Sequence, residues 1–374
     1  MNTSQLLKRT KYFQTQIVEK IQAKEVQELG EILSQHSQLY YELESPLISD
    51  SEYDSLYAKL KKLEEKFWVL SWWAQKVWSE LTQSSFEKVG HSRPMISLDN
   101  TYNAEDLRDF DTRVKKLWDI VWPVYMLEFK FYGLWVELVY EEGVLVQAIT
   151  RGNGLVWEDI TQNVKQIQNI PQKISQKGRF EVRGEVVMPI SSFERLNTHA
   201  KETGEKIFSN PRNAASGSLR VLDIEITKKR DLKFFAYDVS DFWDFERGMY
   251  FDMIHFLEHL GFEISSYFKR CQGIEEVIFE IEHFWDIKKQ IDFEIDGLVL
   301  KLDDMSAWKT IGFTEHHPRY AIAYKFPAEI VTTTLVSVEH SVGRTGTITP
   351  VANLEAVSLG GAIIRRSTLH NYEE

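Results

Sequence analysis

Lys130 stands in the run Leu127-Glu128-Phe129-Lys130-Phe131-Tyr132-Gly133, and three charged runs follow it in order. They are Glu181-Val-Arg-Gly-Glu185, Asp296-Gly-Leu-Val-Leu-Lys301 and Tyr324-Lys-Phe-Pro327. A primary amine that has shed its proton attacks electrophilic phosphorus. Carboxylates suit a hard cation such as magnesium, and further fixed ammonium groups balance charge that builds on phosphoryl oxygens. One lysine among apolar residues is most often surface. The four parts in this order read as a nucleotidyl-transfer layout.

Such side chains need strands to aim them. Val124 to Tyr140 and Leu145 to Thr150 alternate like paired strands joined by a turn at Glu141-Glu142-Gly143. Phe180 to Met188, Leu232 to Val239, Phe293 to Leu302 and Ala321 to Phe326 read as further strands, with helices near Ser191–Thr203 and Gly248–His259. That mixture predicts an α+β domain with mainly antiparallel sheets. Ahead of it, residues 1 to about 38 read as one long helix. Ser45-Pro46 breaks the pattern, and a second helix opens at Ser49 or Asp50 with Tyr53, Leu56, Tyr57, Leu60 and Leu63 on one apolar stripe. Ser71 to about Ser85 reads as a linker. After Pro327 the runs Val331 to His340 and Ile348 to Leu354 are β-like and begin a small barrel, in a stretch too short for five strands.

At 374 residues the chain should hold two or three domains. A net charge of −12 argues against wrapping nucleic acid with the whole surface. It permits a local basic face, for which Arg365, Arg366, Lys228 to Arg230 and Arg344 are candidates, although short clusters are more often solvated surface. Cys271, the one cysteine, excludes an internal disulfide and a cysteine-based zinc cluster within these residues. No apolar run approaches a membrane span, and Met1-Asn-Thr-Ser-Gln lacks a signal-peptide plan. A cytoplasmic, monomeric protein without membrane contact is expected.

From about Leu39 to the last residue the motifs resemble the bacterial NAD-dependent DNA ligases. Ser97-Leu-Asp-Asn100, Arg151-Gly-Asn-Gly154 with Glu158-Asp-Ile-Thr161, and Asn210-Pro-Arg-Asn-Ala-Ala-Ser-Gly-Ser-Leu-Arg220 all have counterparts there. So do Ile295-Asp-Gly297, Lys325-Phe-Pro-Ala328, Val342-Gly-Arg-Thr-Gly346 and Thr368-Leu-His-Asn371. The resemblance implies an α+β multidomain chain. Residues 1–85 would be a helical domain specific for the nicotinamide mononucleotide half of NAD. Residues 86–327 would be an adenylation domain of the nucleotidyltransferase (ATP-grasp-like) fold, and 328–374 the start of a truncated β-barrel OB-fold. The family's later zinc-finger, helix-hairpin-helix and BRCT regions are absent, so zinc is expected only there.

Lys130 would be the nucleophile that takes AMP from NAD. Tyr40, Tyr41, Asp50, Tyr53 and Asp54 would grip the nicotinamide mononucleotide half, a segment for which an ATP-using ligase or capping enzyme has no reason. Ser97, Leu98, Glu128 and Arg151 would line the nucleotide pocket, with Tyr237 stacking on adenine. Arg212 and Arg220 would hold phosphate, Lys301 and Lys325 the α-phosphate, and Glu185 and Asp296 magnesium and the ribose. The partner would be nicked double-stranded DNA, sealed through a lysyl-AMP intermediate in replication and repair.

Two departures fall on the chemistry. Tyr132 stands where the lysine motif carries aspartate, and Asn153 replaces the aspartate of Arg-Gly-Asp-Gly. The rival reading is therefore a catalytically impaired NAD- or AMP-binding module. Trp78, Trp135 and Trp157 fall where the family has glycine or a small residue, and an indole in so tight a place overpacks it. They are either true tryptophans or glycine codons read as tryptophan, which the codons at those positions decide.

Overall fold

The computed structural model describes residues 3–41, 47–48, 50–67, 88–89, 97–150, 157–205, 207–240, 248–314, 317–326, 331–342, 348–359 and 362–369. They fall in two compact units, Met1–Lys325 and Phe326–Glu374.

The N-terminal run is not one helix but a helix Thr3–Thr15, a short 3-10 turn Val18–Lys20 and a second helix Ala23–Tyr41. No proline or glycine makes the break. Ile17 and Ile21 take extended backbone instead, which suits β-branched side chains. Lys59, from the following helix Asp50–Phe67, seals the end of the first. Its ammonium donates to the carbonyls of Phe13, Gln14 and Gln16 at 2.6, 3.0 and 2.7 Å. Carbonyls at a helix C-terminus lack partners within the helix, and a cation there also meets the negative end of the dipole. Leu6, Phe13, Leu29, Leu33, Leu56 and Leu60 lie in the core these helices close, with Tyr53 and Tyr57 packed on its edge. The apolar stripe expected on the Asp50–Phe67 helix is there. Most of the expected linker, 71–85, lies outside the described residues.

Two sheets follow. The first orders its strands as Asp99–Thr101, Ala321–Lys325, Ile295–Leu302, Val124–Phe131 and Phe268–Gln272. Its pairs are antiparallel except that Asp99–Thr101 runs parallel to Ala321–Lys325. The second is antiparallel throughout, in the order Val144–Thr150, Leu134–Glu141, Arg179–Val187 and Lys233–Val239. The stretch from Val124 to Tyr140 is thus two strands, and the chain crosses between sheets at Tyr132-Gly133. Only glycine fits that crossing: a Cβ at Gly133 would lie 2.2 Å from the Val186 carbonyl oxygen. The crossing brings the end of the Lys130 strand against the strand that carries Glu185. On the face away from Lys130, Phe129 stacks on Tyr267 and meets Phe284 edge-on. Cys271 is buried near this layer, and burial first, then Glu276 and Glu280, pushes its thiol up to about 12. It is an inert core residue.

The second unit is an open antiparallel sheet of Leu335–Val342, Ile348–Leu359 and Ala362–Thr368. A register shift between Asn353 and Val357 bends its long middle strand, while Leu335, Val336 and Val338 stay exposed. Among the described residues no helix is long and apolar enough to cross a membrane.

Replacing Lys59 by methionine keeps the apolar stem and removes the ammonium. Lys59→Met should lower unfolding stability by about 1–2 kcal/mol, read in urea titrations. An unchanged midpoint would show that the three carbonyls are as well served by water.

Candidate active site

Antiparallel register decides which side chains share a face. Gly297 is the Cα partner of both Lys130 and Lys325, Val299 that of Glu128 and Ala323, and Lys301 that of Ala321. Opposed residues point the same way, and alternate residues along each strand join them. One face of the first sheet therefore carries Lys130, Glu128, Lys301 and Lys325 over a floor of Gly297, Val299, Ala321 and Ala323. Small floor residues leave room for a planar ligand.

Asp296 joins that face through a bulge. The register with the Lys130 strand slips between Ile295 and Gly297, which re-aims the residue between them. Gly297 permits the slip: its φ is +155°, and a Cβ there would lie 2.1 Å from the Tyr324 carbonyl oxygen. One carboxylate oxygen of Asp296 then accepts from Lys130 Nζ and Lys325 Nζ, each at 2.6 Å. Burial would push this carboxyl up, but the charges and hydrogen bonds of the two lysines outweigh it and hold the carboxyl below its ordinary value.

Deeper in the face, Lys301 Nζ lies 2.7 Å from Glu128 Oε1. It also donates to the Tyr250 hydroxyl at 2.5 Å and more weakly to the Tyr237 carbonyl at 3.3 Å. The second sheet supplies Glu185 and Tyr237, whose hydroxyl is 3.4 Å from Glu185 Oε2. The Tyr237 ring lies 5.4 Å from the Lys301 ammonium. So Lys130, Glu128, Asp296, Lys301, Lys325, Glu185 and Tyr237 converge.

The other expected residues are placed variously. Ser97 and Leu98 lead into the edge strand beside Ala321–Lys325, and the Ser97 carbonyl lies 2.9 Å from His317 Nδ1. Arg212 sits on the helix Pro211–Leu219, which Asn210 caps by accepting from the Asn213 amide and which proline opens. Its guanidinium lies 5.1 Å from the centre of the Tyr132 ring. Arg220 Nε is 2.8 Å from Glu158 Oε2, an ionic contact without hydrogen-bond geometry. Tyr53 is half-buried against the helical core. The side chains of Tyr40, Tyr41, Asp50 and Asp54, and all of Arg151 and Asn153, lie outside the described residues. Trp135 is 9% exposed, with the Arg183 guanidinium 5.7 Å from its ring. Trp78 and the Trp157 side chain are outside the described residues. Among the candidates for a basic face, Arg366 is paired with Glu339 and Lys228 lies near Glu225.

A constellation of this kind has relatives. The model of the NAD-dependent DNA ligase adenylation domain matches residues 83–329. The family's OB-fold domain matches 332–374, and the DNA ligase-like N-terminal NAD+-binding domain matches 19–71. The chain belongs to the NAD-dependent DNA ligase family. A DNA ligase of Bacillus cytotoxicus is 44% identical over 349 residues, 92% of this chain and 52% of its own length. One of Bacillus cereus is 43% identical over 360 residues, 94% of this chain and 53% of its own. The chain thus spans about half the length of the curated relatives it matches.

Tyr250 and His317 escaped the sequence reading. Tyr250 touches Glu128 across 122 positions of sequence, and no local pattern carries such a contact. Among the described residues no three or more His, Cys, Asp or Glu side chains group as a metal cage of such ligands would need. Asp296 is already matched by two ammonium groups. Glu185 is half-buried, its Oε2 3.4 Å from the Tyr237 hydroxyl, and hard carboxylate oxygens are of the kind magnesium takes together with substrate phosphates.

The depressed Asp296 carboxyl gives a pH signature. Its contribution is complete above the unfolded carboxylate value of 3.8 and is lost as pH falls through the lower folded value. Asp296→Asn should therefore be less stable than the parent at neutral pH, with the gap closing in acid unfolding series below about pH 4. A constant gap from neutral to acid pH would disprove the ion-paired state.

Proposed function

We propose that this chain transfers AMP from NAD to its own Lys130, as the first step of sealing nicks in duplex DNA. The observation that carries the reading is the convergence of Lys130 and Lys325 on one oxygen of Asp296, beside the Glu128–Lys301 pair. Lys130 Nζ, once its ammonium has given one proton to solvent, would form the bond to the α-phosphorus while the pyrophosphate linkage breaks. Nicotinamide mononucleotide leaves with the bonding electrons. Asp296 Oδ2 is the acceptor in place to take a proton as that bond forms. Lys301 and Lys325 would meet charge on the phosphoryl oxygens, which matters more here than acid–base catalysis. Tyr237 would stack on adenine and Glu128 would face the base. Magnesium, held by Glu185 with phosphate oxygens, would add a further fixed positive charge. The matched N-terminal NAD+-binding domain supports NAD rather than ATP as donor. Passing AMP to the 5′-phosphate of a nick, and attack by the 3′-hydroxyl, would complete the reaction in a cytoplasmic setting.

Intact mass measurement after incubation with NAD and magnesium tests this. The parent should gain one AMP, Lys130→Ala none, and ATP should not replace NAD. NAD binding without any mass gain would instead establish the silent-module reading.

Tyr132 offers a second check, because a ring face holds Arg212 where the motif has a carboxylate. Tyr132→Phe keeps the face and should adenylate within about twofold of the parent, while Tyr132→Leu should lose about tenfold in single-turnover rate. Equal rates in the two variants would remove the ring from the account.

A further inference from the structure

We propose that Tyr250 is a positioning residue for nucleotide transfer: its oxygen holds the Lys301 ammonium while its proton takes over the Tyr237 carbonyl, freeing one Lys301 donor for the nucleotide phosphate. The inference rests on the reading of the site given under Proposed function.

Tyr250 opens the helix Tyr250–His259 and is completely buried. Its oxygen lies 2.9 and 3.1 Å from the two carboxylate oxygens of Glu128, 2.7 Å from the Tyr237 carbonyl and 2.5 Å from Lys301 Nζ. A phenol carries one proton and accepts through its lone pairs. Toward Lys301 it must accept, because an ammonium only donates. Its own proton then goes to Glu128 or to the Tyr237 carbonyl. The neighbouring phenol is thus a junction between three groups that would contact nucleotide: the stacking residue through its backbone, the base-facing acid and a phosphate-facing cation.

The donors of Lys301 explain why that junction matters. An ammonium has three, and here they point to Glu128 at 2.7 Å, Tyr250 at 2.5 Å and the Tyr237 carbonyl at 3.3 Å. The last is the weakest. When an α-phosphate arrives, the third donor turns to it. The Tyr250 proton then keeps the Tyr237 carbonyl hydrogen-bonded, and Glu128 and the phenol hold the ammonium in place. Without the phenol oxygen, Lys301 would collapse onto Glu128, away from the phosphate. That defect is felt when charge develops, not when NAD first binds.

A buried tyrosine also has a purely structural role, so the test needs a matched control. Tyr140 is equally buried, and its hydroxyl donates to the Pro171 carbonyl at 2.7 Å, outside the cluster. The parent, Tyr250→Phe and Tyr140→Phe are each followed by intact mass for single-turnover AMP transfer over a range of NAD concentrations, alongside thermal unfolding. Tyr250→Phe should lower the maximal rate about tenfold or more with KM for NAD changed by less than about threefold. Tyr140→Phe should lose a similar part of its thermal midpoint yet keep the parent rate. The inference is overturned if Tyr250→Phe matches Tyr140→Phe in rate, or if its defect lies in KM alone. A parent chain that gains no AMP overturns the transfer reading itself, and this inference with it.

Discussion

Register puts Lys130, Lys301 and Lys325 on one sheet face, and two carboxylates and a phenol among them make that crowding tolerable. Lys130 and Lys325 each lie 2.6 Å from the same oxygen of Asp296, so their nitrogens are close neighbours. At a separation of about 5 Å and an effective dielectric of about 20, two such charges repel by about 3 kcal/mol. That is a large share of a domain's net stability. Asp296 more than offsets it, being nearer to each cation than they are to each other. Lys301 is matched in the same way by Glu128. The face is close to neutral at rest, and under the proposed function an arriving phosphate would bring the negative charge that lets its cations turn outward.

That arrangement depends on two glycines more than on any charged residue. Gly297 lets the Asp296 strand bulge against a backbone oxygen, and it is the common register partner of both lysines. Gly133 lets the chain leave the first sheet and press on the second, bringing Glu185 and Tyr237 to the lysines. A methyl group at either place meets a carbonyl at little over 2 Å, so the backbone would have to move. Movement there shifts several side chains of the candidate site at once, and in a catalytic site a misplacement of about 1 Å costs roughly a hundredfold in rate.

The strands that carry chemistry were legible, because alternation and the spacing of charged residues within a strand are local properties. The strands read over Phe180 to Met188 and Phe293 to Leu302 emerge as Arg179–Val187 and Ile295–Leu302. What escaped depends on distant partners. The expected first helix is cut where Lys59 caps carbonyls some 43 to 46 positions earlier. Tyr250 reaches Glu128 and Lys301 only after the chain has crossed both sheets. The helix Ala104–Trp118 was a different failure. Its cap, Asn103 accepting from the Asp106 amide, is a local signal that went unread. For the residues expected to grip the nicotinamide mononucleotide half, the described side chains include only Tyr53, which packs on the helical core.

Tyr132 is the departure that bears most on the rival reading of a silent module. A carboxylate beside a guanidinium gives a strong directional contact, but burying that pair desolvates two charges, and the net gain is small. An aromatic face gives about 1–2 kcal/mol with the desolvation of only one charge. The two arrangements hold an arginine with similar net energy. What the ring cannot do is accept a hydrogen bond from Lys130, and in this structure Asp296 accepts it. Here Tyr132, at the crossing between the sheets, faces the arginine, and Asp296, on the strand Ile295–Leu302, receives the amine.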